Sequence, residues 1–161
     1  GQIEQALSLQ LGAVRLTERF IEDRDIPITA ETAALIRAPV QESLHQSSFA
    51  FPPTTDSFIV TGGAFTVTRA ILAAREDKTI EQRSPVLMRS EITQLKSELM
   101  ALPLHERMAT PHLPATRADI VPTALITIEA VLQRAAREAV THSFYNLRYG
   151  IAAEQLNVAN V

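Results

Sequence analysis

The order of apolar and polar positions divides the chain into short extended and helical stretches. Residues 2–11 set Ile3, Leu7, Leu9 and Leu11 on alternate positions, the period of a half-buried strand, although residues 4–6 blur it. Gly12 breaks that run. Residues 13–20 then read as a short helix with Leu16 and Phe20 four apart on one face, followed by a turn over residues 23–27. Thr29 can cap the next helix, which carries Ala33, Ala34, Leu35, Val40 and Leu44 on its apolar side. Pro39 marks a kink or irregularity in it, and it should end near Gln46. The Pro52-Pro53 pair connects to residues 57–61, a β-branched run that predicts an interior strand. Gly62 and Gly63 follow it, and helical spacing resumes over residues 64–74.

The second half is mostly helical. Residues 75–85 are charged and irregular, as in an exposed loop that tolerates length changes. Ser90 can cap a helix over residues 91–101 with Ile92, Leu95 and Leu99 aligned, and residues 104–108 read as a further short helix before Pro111 and Pro114. A long helical region from about Thr116 to Arg137 carries Ile120, Leu125, Ile128, Val131 and Leu132. Residues 139–143 read as a short strand. Residues 146–150 read as a turn with an αL-tolerant residue at each end, and a final short helix follows.

With 161 residues, 46% of them hydrophobic and 20% charged, the chain is long enough to bury a core and is most simply one domain. The net charge of −3 comes without a basic run, which leaves a nucleic-acid groove no electrostatic footprint. Cysteine is absent, so disulfides and thiol or cysteine–zinc chemistry are excluded. There is neither a membrane-length apolar run nor a secretory signal pattern, and the expectation is a soluble, cytoplasmic protein with no membrane partner.

The candidate chemistry sits at Val60-Thr61-Gly62-Gly63. Glycines without Cβ let backbone approach an anion, and the N–H groups and dipole of the helix that follows favour negative charge. A tight turn is the commoner reading of two glycines after a strand. Two readings also stay open for Arg148: its guanidinium fork either cross-links loops or reaches a phosphate.

Five motifs in order strengthen the first reading of the glycines. Residues 8–18 (Ser-Leu-Gln-Leu-Gly-Ala-Val-Arg-Leu-Thr-Glu), Val60-Thr61-Gly62-Gly63, Glu106-Arg107, Arg117-Ala118-Asp119-Ile120 and Leu147-Arg148-Tyr149-Gly150 resemble successive motifs of the exopolyphosphatase and guanosine pentaphosphate phosphohydrolase family. The match falls on that family's second domain. The resemblance implies an α/β fold of the actin-like ATPase (ribonuclease H-like) type, a mixed sheet flanked by helices. It implies a chain that is half of an enzyme lacking its N-terminal actin-like domain, with polyphosphate or guanosine pentaphosphate as substrate. A divalent cation, Mg or Mn, is expected in the complete enzyme and none in this chain alone, and a homodimer stays open. Thr61, Gly62, Gly63, Thr66 and Arg148 are the expected phosphate-binding residues. No catalytic base is assigned, because the family's base and metal-facing carboxylates come from regions that resemble nothing here. The rival from another class is a non-catalytic nucleotide- or alarmone-sensing scaffold of the same fold.

Three positions depart from the family pattern. Ala64 stands where a threonine hydroxyl is usual, with Thr66 or Thr68 as substitutes for it; Ala124 stands where glycine is usual, and Tyr149 where glutamate is. The remaining candidates take structural readings. Arg117 and Asp119 suit local pairing and helix-start stabilisation, Arg15 suits a salt bridge, and Glu18, Glu22 and Asp23 form a solvated acidic edge. His45, His105, His112 and His142 lack metal-ligand spacing.

Overall fold

The computed structural model describes residues 3–53 and 56–156. Three short strands form one mixed sheet: β1 (Ile59–Val60), β2 (Val86–Met88) and β3 (Ala139–His142). β3 is central, parallel to β1 with Val60 opposite His142 and antiparallel to β2 with Leu87 opposite Val140. Among the described residues seven α-helices surround the sheet: α1 (Ala13–Phe20), α2 (Ala30–Gln46), α3 (Gly63–Arg75), α4 (Arg89–Ala101), α5 (Leu104–Met108), α6 (Val121–Arg134) and α7 (Leu147–Gln155). The class is α/β, as the sequence predicts.

α6 organises the interior because it is apolar on two faces. Leu125 and Leu132 join Ile71 of α3, Leu87 of β2, and Ile92, Leu95 and Leu99 of α4 in one core. Ile126 and Ala130 join Leu16 of α1 and Ile36, Val40 and Leu44 of α2 in a second. A carboxylate between these cores is fully engaged, although the Arg37 Nε beside it has no hydrogen-bond partner among the described residues. Glu129 of α6 accepts both oxygens' bonds from Lys96 Nζ at 2.7 and 2.6 Å, one from Thr93 Oγ1 at 2.8 Å and one from Arg37 Nη2 at 3.1 Å. Arg107, 1% exposed, donates to the carbonyls of Leu102, Ala118, Arg24 and Ile26, and so ties α5 to the turn before α2 and to the segment before α6. Arg137 does the same for the connector before β1, through the carbonyls of Pro52, Pro53 and Asp56. A planar five-donor fork suits this bridging of irregular backbone, whose carbonyls have no ladder or helix partner.

Several sequence expectations need correction. Residues 3–11 form no strand, since no neighbouring strand offers them a ladder; Leu9 and Leu11 instead lie against the α1–α2–α6 core while Ile3 is exposed. Gln2 lies outside the described residues. β1 is an edge strand among the described residues, not an interior one, and Ile59 is 66% exposed. In α2 the core side carries Ile36, while Leu35 faces solvent. The loop after α3 is anchored, because Arg83 is buried and pairs with Glu76 and Glu91, and β2 follows it unannounced. Ser90 does not cap α4; the helix starts two residues earlier than expected, at Arg89, and Glu91 Oε2 accepts from the Met88 amide at 2.8 Å. The long region from Thr116 is two pieces, a 3-10 turn at Ala115–Arg117 and then α6, which ends at Arg134. Residues 146–150 are not a turn: Asn146 Oδ1 accepts from the Arg148 amide at 3.0 Å and caps α7.

Candidate anion-binding cleft

The parallel pairing of β1 and β3 brings two chain reversals to the same end of the sheet. β1 runs into Gly62, whose φ of 114° and ψ of 166° suit glycine and strain any residue with a Cβ. α3 begins at Gly63, so the amides of residues 63–65 precede the first intrahelical acceptor and point out of the helix end. Thr66 closes this turn on the Gly62 carbonyl with its amide at 3.1 Å and its hydroxyl at 3.2 Å. Next to it the Ser143 amide donates to the Val60 carbonyl at 2.9 Å, which carries β3 into residues 143–148 beside the glycine turn. An open cleft of about 650 Å³ results, lined by Thr61, Gly62, Gly63, Thr66, Arg117, Ser143, Asn146 and Arg148, with Pro114, Val67, Phe144 and Leu147 as its apolar surface.

All five residues singled out for phosphate thus border one cleft. Its charges have a single sign: the lining holds Arg117 and Arg148 and no carboxylate. Arg148 lies in the first turn of α7, exposed and bordering the cleft, and its side chain cross-links no loops by a hydrogen bond among the described residues. Arg117 is a correction. It does not pair locally with Asp119, which instead accepts from Arg24 Nη1 at 2.6 Å. Its guanidinium lies over the Gly63 Cα, so close that a Cβ built there would collide with Nη1 and sit 3.4 Å from Cζ. A side chain at Gly63 would therefore displace the tip of the Arg117 side chain rather than meet backbone, whereas at Gly62 a Cβ would meet open space and the positive φ alone favours glycine. Arg15, also corrected, donates to Gln10 Oε1 at 2.6 Å and makes no salt bridge among the described residues.

Behind the cleft lies a residue that sequence reasoning set aside. His142, 2% exposed, places Nε2 3.2 Å from Thr66 Oγ1. Its ring stands edge-on to Phe144 at 5.0 Å, and the Arg69 guanidinium lies over the Phe144 ring at 5.1 Å from the ring centre. Burial, and then the Arg69 charge, hold the imidazole below its usual pKa. The available signal was topological: the last residue of a strand parallel to β1 must end beside the glycine turn. Thr68 is unsuited to replace the hydroxyl missing at Ala64, because it is fully buried and donates to the Ala64 carbonyl at 2.8 Å. Ala124 and Tyr149 do not line the cleft; Tyr149 stacks edge-on with Tyr145 at 5.4 Å.

Backbone amides at a helix start, hydroxyls and two guanidinium groups are donors, and together they fit an anion of several oxygens. They do not fit a divalent cation, which takes carboxylate and carbonyl oxygens. Among the described residues no three His, Asp or Glu side chains come together as a metal site.

The family relationship agrees with this geometry. The model of the Ppx/GppA phosphatase family matches residues 1–159. Among solved structures, the Aquifex aeolicus member of the Ppx/GppA family is 19% identical with a TM-score of 0.82, over 99% of this chain and 51% of that one. An exopolyphosphatase from Cytophaga hutchinsonii is 24% identical with a TM-score of 0.76, over 98% of this chain and 51% of that one. The chain thus spans about half the length of the solved structures it matches. No curated protein sequence matches it. From the order of its motifs, its fold and the match along nearly its whole length, the chain belongs to the Ppx/GppA phosphatase family.

Proposed function

We propose that this chain supplies one wall of a phosphate-binding cleft in a phosphohydrolase that cleaves terminal phosphoanhydride bonds of polyphosphate or guanosine pentaphosphate. The observation that carries the reading is the convergence of the Gly62–Gly63 helix start with Arg117 and Arg148 on one carboxylate-free cleft. Phosphoryl transfer is accelerated mainly by placing the phosphate and stabilising its spread charge, and donors of this kind do both. In this reading Thr61, the amides after Gly62, Arg117 and Arg148 hold the phosphates. The carboxylate that positions water, and the oxygen ligands of any Mg or Mn, belong to an N-terminal actin-like domain facing this one across the cleft. The half-length match to the solved relatives supports that division. The chain, one actin-like domain on this reading, would then act in the cytoplasm, where such substrates occur. Among the described residues no helix is long and apolar enough to cross a membrane.

Ala64 favours a second reading, a sensing or scaffold domain that binds the same anions without turnover, because it removes a hydroxyl at the helix start. Phosphate release from polyphosphate and from guanosine pentaphosphate, with magnesium or manganese, separates the two once the native upstream sequence is joined to the chain. Turnover supports the hydrolase, and binding without turnover supports the sensor.

A further inference from the structure

His142 is a buried titratable group that anion binding leaves without a task. Its Nε2 lies 3.2 Å from Thr66 Oγ1, and that oxygen lies 3.2 Å from the Gly62 carbonyl. Its Nδ1 is buried and has no hydrogen-bond partner among the described residues. A neutral imidazole carries one proton. Placed on Nδ1, it would be a buried N–H without an acceptor; placed on Nε2, it is used, and only a lone pair goes unmet, the more tolerable of the two defects. The Thr66 hydroxyl then accepts from Nε2, and its single hydrogen turns to the Gly62 carbonyl.

We propose that His142 is a positioning residue of the glycine turn: its Nε2–H fixes the Thr66 hydroxyl as the donor that holds Gly62, so Thr66 supports the cleft without itself donating to the anion. This reverses the ligand role the sequence suggests for Thr66. It rests on the anion-binding reading only for its effect on binding, since the chain of bonds His142–Thr66–Gly62 is a feature of the free protein. It also makes the turn pH-sensitive. The groups facing His142 are cationic or neutral: α3 contributes Arg69, which in turn donates to the Arg83 carbonyl; Arg117 and Arg148 lie across the cleft; β1 and β2 carry no titratable residue. A proton taken up at Nδ1 from solvent finds neither an acceptor nor an opposing charge there. The ring must then move, and the hold on Gly62 loosens.

Imidazole and amide NMR of the isotope-labelled chain test this without any ligand. The expected result is the Nε2–H tautomer near neutral pH, with the amides of Gly62, Gly63 and Thr66 shifting on acidification at the His142 midpoint. That loop titration should vanish in His142→Leu while the melting temperature changes little, since leucine also removes the unmet lone pair. An Nδ1–H tautomer, or loop amides indifferent to the His142 midpoint, overturns the proposal. Calorimetric titration with tripolyphosphate adds a double-mutant cycle. Thr66→Val and His142→Leu should each weaken binding by about fivefold, one net hydrogen bond. The double variant should bind no worse than either, and Thr66→Ser should bind as the native chain does. A double variant weakened by the product of the two, about 25-fold, makes Thr66 a direct ligand and overturns the proposal. Absence of tripolyphosphate binding together with the expected NMR result upholds the role of His142 and counts against the anion-binding reading alone.

Discussion

Single side chains decide what the glycine turn can do. A Cβ at Gly63 would fall where the Arg117 guanidinium lies, so Gly63→Val should displace that guanidinium and weaken tripolyphosphate binding while the helix still forms. Ala64→Thr should act in the opposite direction, restoring a hydroxyl near the helix start and strengthening binding by about 1 kcal/mol. Calorimetry on both variants, with thermal melts beside it, checks the pair, and no change in either affinity would reduce the loop to a turn. Arg117→Ala should weaken binding, and more steeply at low salt, because its charge borders a cleft whose lining holds no carboxylate. The glycines, Thr61, Thr66 and Arg148, singled out by phosphate-loop chemistry and by the family resemblance, border one cleft. The sequence misplaced Arg117, because a helix-start arginine with an aspartate two residues on looks like a local pair; only the fold shows Asp119 turned to Arg24 and Arg117 turned to Gly63. His142 was illegible for a related reason: its partner, Thr66, is 76 residues away.

At the level of elements, α6 and its neighbours hold the wall in place through the buried Glu129 cluster. Burial works to raise the Glu129 pKa, but the Lys96 and Thr93 hydrogen bonds and the Lys96 and Arg37 charges outweigh it and hold the carboxyl below its usual value. Lys96→Met would leave that carboxylate underpaired and should destabilise the chain by about 3–5 kcal/mol in urea melts, the cost of breaking a buried ion pair. A loss under about 1 kcal/mol would mean that Arg37 and Thr93 suffice. The pH dependence has a definite sign. His142 and Glu129 both have depressed values in the folded state, so each binds protons more readily when unfolded. The contribution of His142 is full above its unfolded value of 6.5 and is lost as pH falls below it; that of Glu129 is full above 4.5 and lost below that. Urea midpoints should therefore decline in two stages on acidification, and the first stage should be missing in His142→Leu. Helices were the most legible elements: α1, α2, α3 and α5 announce themselves by apolar spacing, by the Thr29 cap and by the break at Gly12. Strands were the least legible. The alternation over residues 3–11 has no partner to pair with, and β2 needs only three residues because β3 supplies its ladder. Asn146 was read as a turn residue since the side chain that favours turns also caps helices.

At the scale of the whole molecule, the candidate anion-binding residues gather at one end of the sheet. Glycine turn, Arg117 and Arg148 meet because β1 and β3 run parallel and end together, and the α6 interior fixes the segments that flank them. The family fold was readable from the order of five motifs, each of which survives as a local structure: the Gly12 entry to α1, the glycine turn, the Arg107 staple, the Arg117 turn and the Asn146-capped α7. What the motifs left undetermined was the function of each within that fold. Magnesium or manganese assays of the chain by itself should yield no phosphate from polyphosphate or guanosine pentaphosphate, for want of a carboxylate in the cleft; turnover abolished by a point substitution within the chain would place an active base here after all. The most direct test of the central claim is amide and arginine side-chain NMR during titration with tripolyphosphate. The account predicts saturable shifts concentrated at residues 61–66 and at the guanidinium groups of Arg117 and Arg148. Shifts confined to the far end of the sheet around Arg137 and Glu138, or none at all, would contradict it.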